Sequence, residues 1–342
     1  MAEKVSILLA TRNRKPLLAR ALASLRVQTH TALEILVLDD GSTDQTPELL
    51  ERIAHEEPRL RWFRREHSQG LASALNFLLC QSSGAWLARM DDDDVAHPQR
   101  IAMQLAYMRN MQVDVCGCWY RRIAGWRRSV ARPPVEHARI QAELLFQPPL
   151  LHPAVMFRRE VFEQHGGYSE SSPHAEDYEL WIRLLPHVRF GNCPKVLMDY
   201  TLSPEQVSHR FNAQQVATAR SLRIRALNQL NIPHSQAQAA VHAGLRDPTP
   251  IDTLPQLLEV HTWLANLSRH LQPLARAAVH RQWFLQCVRA AGLGPKVYCA
   301  YLSSPLATAT PRQCSMLWAL CQLRLRYRSP LYNQLEPLAG IG

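Results

Sequence analysis

Apolar positions follow two alternating rhythms over the first two hundred residues and a single rhythm beyond them. Val5 to Ala10 is a near-continuous apolar run, as a strand covered on both faces requires. Pro16 then opens a helix that places Leu17, Leu18, Ala21, Leu22 and Leu25 on one face. Leu33 to Leu38 predicts a second strand, closed by Asp39-Asp40-Gly41. Thr46-Pro47 starts a helix that runs through Ile53, and Leu60 to Phe63 predicts a third strand. Gly70 to Leu79 reads helical, with Leu71, Ala74, Leu75 and Leu78 aligned. Ala85 to Met90 predicts a fourth strand, which runs straight into four aspartates. A helix over 98–111 and a strand over 113–120 follow. Strand and helix in strict alternation predict an α/β fold with a doubly wound, mostly parallel sheet. Ligands of such sheets bind in the crevice outside the strand carboxyl ends.

From about residue 204 the strand pattern fades. Leu, Ala, Gln and Arg dominate, interrupted by Pro233, Pro248, Pro250, Pro255, Pro273 and Pro295, which predicts a helical C-terminal appendage without repeats. Two domains are expected, one over 1–212 and a basic, mainly helical one over 213–342. The amphipathic stretch 216–230 is expected to face a core. Charge divides along the same line. Residues 1–212 hold 26 Lys+Arg against 25 Asp+Glu, and residues 213–342 hold 13 against 4. A basic surface attracts phosphate-rich partners, so this region is expected to hold the acceptor or touch a membrane surface.

Nothing in the chain reads as a leader or a membrane span. The apolar run in MAEKVSILLATRNRKP is too short for either, and later apolar stretches are cut by charges such as Arg324, Arg326 and Arg328. The expected location is cytoplasmic, with peripheral contact at the inner face of the membrane as the closest approach to a bilayer. The eight cysteines include only one close pair, Cys116 and Cys118, whose alternation on a strand suits buried thiols better than zinc.

No glycine precedes Gly41, which excludes a P-loop or a GxGxxG turn after the first strand. Phosphate bound here must be neutralised by something other than backbone amides. Acidic clusters supply the candidate. VLDDGSTD brings Asp39, Asp40 and Asp44 to the end of the second strand, and MDDDDVAHP brings Asp91, Asp92, Asp93 and Asp94 to the end of the fourth. Consecutive carboxylates leaving an apolar strand repel one another, and an oxygen-preferring cation, Mg²⁺ or Mn²⁺, relieves that repulsion and in turn binds diphosphate oxygens.

VSILLATRNR, VLDDGSTD, GLASALN, MDDDDVAHP and HPAVMFRREVFEQHGGY followed by AEDYELWIRL occur in the order seen in family-2 glycosyltransferases of the GT-A fold. The chain resembles that family over roughly residues 4–210. The resemblance implies an inverting transfer of a sugar from a nucleotide donor, with UDP-sugars favoured, to a glycan or lipid-linked acceptor in surface polysaccharide assembly. It places Thr11 and Asn13 near the nucleotide and Asp40 on its base or ribose. Its Asp-x-Asp-Asp spacing to a proline, here Pro98, selects Asp91, Asp93 and Asp94. Asp93 is then the metal ligand, with Asp91 or Asp92 near the ribose or metal. Asp177 matches the catalytic base and Glu176 its neighbour. His152 would shape the acceptor or diphosphate side, and His209 in EQVSHR would reach the metal from a loop. Arg12 stands where an aromatic is frequent and Ser68 where Asn is frequent, both on the donor side.

Two other readings compete. Sugar-1-phosphate nucleotidyltransferases share a similar sheet and an aspartate-bound metal, but they depend on a glycine-rich turn where this chain has TRNRKP. A basic nucleic-acid-binding module would need aromatics interleaved with the C-terminal cations, and an acidic crevice repels a polyanion. Nucleic acid is not an expected partner.

Overall fold

The computed structural model describes residues 3–172, 174–202 and 213–333. Among them the chain forms two compact units, one within Met1–Ile140 and Pro148–Thr218, the other within Gln141–Gln147 and Ala219–Gly342.

In the first unit, β1 (Val5–Thr11), β2 (Leu33–Asp40), β3 (Leu60–Arg65) and β4 (Trp86–Asp91) lie parallel in the order β3-β2-β1-β4. Val5, Ile7 and Leu9 of β1 join Leu33, Ile35 and Val37 of β2 in a core covered by α1 (Lys15–Arg26), α2 (Thr46–Glu56) and α4 (Arg100–Met111). The alternate residues face the other side, where α3 (Leu71–Gln81) packs on β1 and β2. Both faces are therefore dry, and this is why the strands read as apolar runs.

Beyond β4 the simple alternation ends. β5 (Val95–Ala96) is two residues long, and β6 (Val115–Ala124) extends past the expected strand and turns back as β7 (Arg127–Ala131). The strand β8 (Met156–Arg158) inserts antiparallel between β4 and β6. β6 thus runs in the same direction as β4 without pairing with it, and pairs in parallel with β9 (Phe190–Thr201). His152 starts a single 3₁₀ turn over His152–Ala154, and β8 begins at Met156. Short helices α5 (His137–Leu144), α6 (Arg159–His165) and α7 (Glu176–Leu184) complete these connections.

The second unit is helical: α8 (Ala213–Gln229) enters it, followed by α9 (Gln236–Gly244), α10 (Leu254–Arg269), α11 (Arg276–Arg289), α12 (Pro295–Leu302) and α13 (Pro311–Gln322). Pro255, Pro295 and Pro311 sit in first turns, where a missing N–H has no intrahelical acceptor to lose, so these prolines start helices rather than break them. Ser235 and Thr310 form capping boxes with Gln238 and Gln313. Segment 141–147 is held by side chains of this unit. His242 binds the Leu145 carbonyl through Nε2 at 2.9 Å while its Nδ1 accepts from the Trp263 indole at 3.2 Å. Burial holds that imidazole neutral, with its pKa pushed down to about 3.

One turn sets the site's edge. Gly41, directly after β2, has φ +81°, and a Cβ there would lie 3.0 Å from the Ser68 amide nitrogen and 3.2 Å from the Glu66 carbonyl. Only glycine accepts that backbone without strain. Gly41→Ala is expected to cost about 1 kcal/mol or more, a melting temperature roughly 2–4 °C lower by circular dichroism; an unchanged melting temperature would remove the constraint.

Candidate active site

Parallel strands in register end together. Thr11 is the partner of Asp39, and Ala10 of Asp91, so the ends of β1, β2 and β4 form one rim. The Thr11 hydroxyl donates to Asp92 Oδ2 at 2.7 Å, and Arg14 Nη1 spans Asp92 at 3.3 Å and Asp93 at 2.7 Å. From β9, the Thr201 amide donates to Asp94 Oδ1 at 2.9 Å and its hydroxyl to the Asp93 carbonyl at 2.6 Å. Carboxylate oxygens of Asp91, Asp93 and Asp94 lie within 4.8 Å of one another. The carboxylates that the proline spacing selects do converge, while Asp92 turns away toward Thr11 and Arg14.

Electrostatics at this rim are severe. Asp94 is wholly buried, and its Oδ2 has no hydrogen-bond partner. Desolvation and the charges of Asp91 and Asp93 push its pKa well above the usual carboxylate range. Burial, with the same neighbours, raises Asp92 to about 6 against the pull of Thr11 and Arg14.

The β2 aspartates do something different. Asp40 accepts from the Ser68 hydroxyl at 2.6 Å, the Gln69 amide at 3.2 Å and the Gly70 amide at 3.1 Å, tying β2 to the start of α3. Asp39 accepts from the Ser42 amide at 2.9 Å and faces Arg64 at 3.5 Å. Asn13, at φ 53°, accepts from the amides of Thr43 at 2.7 Å and Asp44 at 3.3 Å. Asp40 and Asn13 thus hold the two rim loops together with the groups expected to meet the nucleotide. Ser68 does the same from the position where the family often has Asn.

Across from the rim, Glu176 and Asp177 open α7, where carboxylates complement the helix dipole. Asp177 is half-buried; desolvation and the charge of Glu176 raise its pKa to about 6, although the Tyr178 amide donates to it at 2.7 Å. Trp181 is buried, stacked on Phe157 and edge-on to His152. His152 is buried against the Tyr168 hydroxyl at 3.0 Å, and burial together with the Arg89 charge holds it well below the usual histidine range, so it is neutral. His209 lies outside the described residues.

Arg89 connects the two halves and was missed in the sequence. It is 3% exposed on β4, pairs with Asp91 at 2.5 Å, and bears electrostatically on Asp94, His152, Tyr168 and Asp177. Its Nε and Nη1 have no hydrogen-bond partner. The available signal was a lone cation inside the apolar run AWLARM.

Comparison with known proteins settles the class. The family model described as "Glycosyl transferase family 2" matches residues 6–166. Over these residues the chain carries a family-2 glycosyltransferase domain. An uncharacterized glycosyltransferase of Haemophilus influenzae is 28% identical over 231 residues, covering 64% of this chain and 72% of the relative. The O-antigen biosynthesis glycosyltransferase WbnJ of Escherichia coli is 25% identical over 228 residues, covering 65% and 88%. Among solved structures, S. aureus TarS 1–349 in complex with UDP-GlcNAc superposes with a TM-score of 0.57 at 18% identity, over 84% of this chain and 86% of that one. The mannosyltransferase PcManGT from Pyrobaculum calidifontis, in complex with GDP-Man and Mn²⁺, gives 0.50 at 20% identity, over 94% and 85%. At these identities the structures establish the fold, GT-A-like with a helical C-terminal region.

The donor set of this glycosyltransferase fits a hard divalent cation. Three carboxylates converge, one of them carries a buried oxygen with no partner, and oxygen-only ligation suits Mg²⁺ or Mn²⁺. Among the described residues the β2 aspartates are not part of that group. A folded-state pKa raised above the unfolded value favours the protonated fold, so Asp94 withdraws stability as pH rises past the ordinary carboxylate range. Asp94→Asn is therefore expected to raise the melting temperature of cation-free protein at neutral pH, with the gain vanishing in acid. Manganese should stabilise the parent chain and leave the variant unmoved. A variant that still responds to manganese would remove Asp94 from the cation group.

Proposed function

We propose that this enzyme transfers a sugar from a nucleoside diphosphate donor to an acceptor hydroxyl by a single displacement that inverts the anomeric centre. The observation that carries the reading is a pair of carboxylate environments bridged by one buried arginine. The crowded set at the end of β4 is suited to a cation, and the carboxylate at the start of α7 has its pKa raised to about 6 by desolvation and the charge of Glu176. Asp91, Asp93 and Asp94 would hold the cation, with Asp92 close by. When bound, the cation supplies Lewis-acid neutralisation of the charge developing on the departing diphosphate.

The chain's own groups do the rest. Asp177 accepts the proton of the acceptor hydroxyl as that oxygen attacks the anomeric carbon, and the glycosidic bond to the diphosphate breaks on the opposite face. A pKa of about 6 leaves Asp177 ionised at neutral pH and makes it a stronger base than a solvated aspartate. Glu176 sustains that shift. Arg89 fixes Asp91, and Thr201 fixes Asp93 and Asp94. Neutral His152 and Trp181 wall the acceptor side without adding charge. Thr11, Asn13 and Asp40 shape the nucleotide side through the loops they hold.

A nucleotide-sugar donor is supported by the fold shared with proteins solved with UDP-GlcNAc and GDP-Man, and UDP-sugars are the preferred reading. A glycan or lipid-linked acceptor in surface polysaccharide assembly is supported by the name of the E. coli relative.

Asp177→Asn is expected to lower kcat by about 10²–10⁴-fold while nucleoside diphosphate still raises the melting temperature with Mn²⁺ present. In the parent enzyme, kcat/KM should fall as pH drops through about 6, because protonated Asp177 cannot accept the hydroxyl proton. Turnover in Asp177→Asn close to that of the parent would overturn the base assignment, and retained stabilisation by the nucleotide without any cation would overturn the metal reading.

A further inference from the structure

Most arginines of the first unit are accounted for by carboxylates or backbone carbonyls, but four of the five in the β6–β7 hairpin and just after it are not. Residues 119–132 read WYRRIAGWRRSVAR, with five arginines and no acid, in a region whose overall charge is nearly balanced. The strands close through Gly125-Trp126 between the paired residues Ala124 and Arg127. Gly125 has φ +59° and Trp126 has no positive φ, the pattern of a tight hairpin turn with glycine first. Trp126 at the tip is 86% exposed, and Val130 on β7 is 41% exposed. Arg121 pairs with Asp199 at 3.3 Å. Arg122, Arg127 and Arg132 lie over the rings of Tyr120, Trp126 and Trp119 at 5.8, 5.4 and 5.6 Å. Arg122, Arg127, Arg128 and Arg132 form no ion pair among the described residues.

Neither packing nor internal pairing explains these side chains. An exposed indole in a two-residue turn, with Arg127 over its ring and Arg128 next along the strand, is the chemistry of a bilayer interface. Trp settles at the headgroup level, and arginine is drawn to anionic lipid. A carbohydrate or nucleic-acid polymer would call for a groove, whereas a tip meets a flat surface. We propose that the β6–β7 hairpin is a membrane-surface contact, seating Trp126 among the headgroups and setting Arg127 and Arg128 against anionic phospholipid.

This moves the contact away from the basic C-terminal region, where the sequence led us to expect it. There, Arg220 and Arg223 face Asp247, Arg281 pairs with Glu143, and Arg289 is spent on the carbonyls of Thr249 and Leu245. No helix among the described residues is long and apolar enough to cross a membrane, so a surface contact is the form of association the described residues offer. The hairpin also adjoins the rim. Ile123 pairs with Thr201, the residue that holds Asp93 and Asp94, so the contact would set the aspartates beside the bilayer. The proposal stands independently of the transfer mechanism.

The test is sedimentation of the full chain with phosphatidylcholine vesicles, with and without phosphatidylglycerol. Binding is expected only with phosphatidylglycerol, weakening as salt rises. Arg127→Gln with Arg128→Gln should lower the partition about 10-fold or more, and adding Trp126→Ala should lower it further. Melting temperature should hold in all of these exposed-tip variants. Vesicles should also blue-shift the parent's tryptophan emission, a shift lost in Trp126→Phe. The proposal is overturned by absent vesicle binding, by equal binding to neutral vesicles, or by parental partition in the triple variant. Arginine-dependent binding to dextran sulfate without vesicle binding would overturn it too, pointing to a soluble polyanion.

Discussion

Like charges held together in a dry place are the constraint on which this structure turns. β4 is buried on both faces until Met90 and then releases four aspartates in succession, at the edge where its parallel neighbours also end. Water cannot solvate Asp94, and one of its oxygens has no protein donor. The fold answers with fixed positive charge and hydrogen bonds: Arg14 from the loop after β1, Arg89 from within β4, Thr11 from β1 and Thr201 from β9. Those groups fall short of full compensation, since Asp92 and Asp94 are still pushed toward their protonated forms. A divalent cation is the species that would complete the balance.

The same constraint relates the rim to the opposite wall. Arg89 is buried with its guanidinium on Asp91, and from there its charge also bears on His152, Tyr168 and Asp177. His152 is thereby kept neutral, while Asp177 retains a raised pKa because desolvation and Glu176 outweigh the arginine. One side chain thus couples the place where diphosphate charge would be neutralised to the place where a proton would be taken up.

Legibility in the sequence followed burial. β1, β2 and β4 were readable because strands dry on both faces leave apolar runs, and helices α1 to α4 because one face repeats with helical period. β8 was harder: three residues in an antiparallel slot carry too little pattern to announce their direction. β7 was invisible, since RRSVA alternates nothing apolar and its register comes only from the Gly125 turn. At the site, Asp-x-Asp-Asp spacing to Pro98 picked out Asp91, Asp93 and Asp94, but no spacing rule shows that Asp92 turns back to Thr11 and Arg14. Asp40 and Asn13 read as ligand contacts, and a string of letters does not reveal that they also accept from loop amides. Arg89 left only a weak mark, a cation where an apolar residue was due.

Anomalous diffraction from crystals grown with Mn²⁺ and UDP tests the central claim most directly. A manganese peak bounded by Asp91, Asp93 and Asp94 and touching both phosphates is the predicted result. Diphosphate bound at the rim with no manganese beside these carboxylates would contradict it.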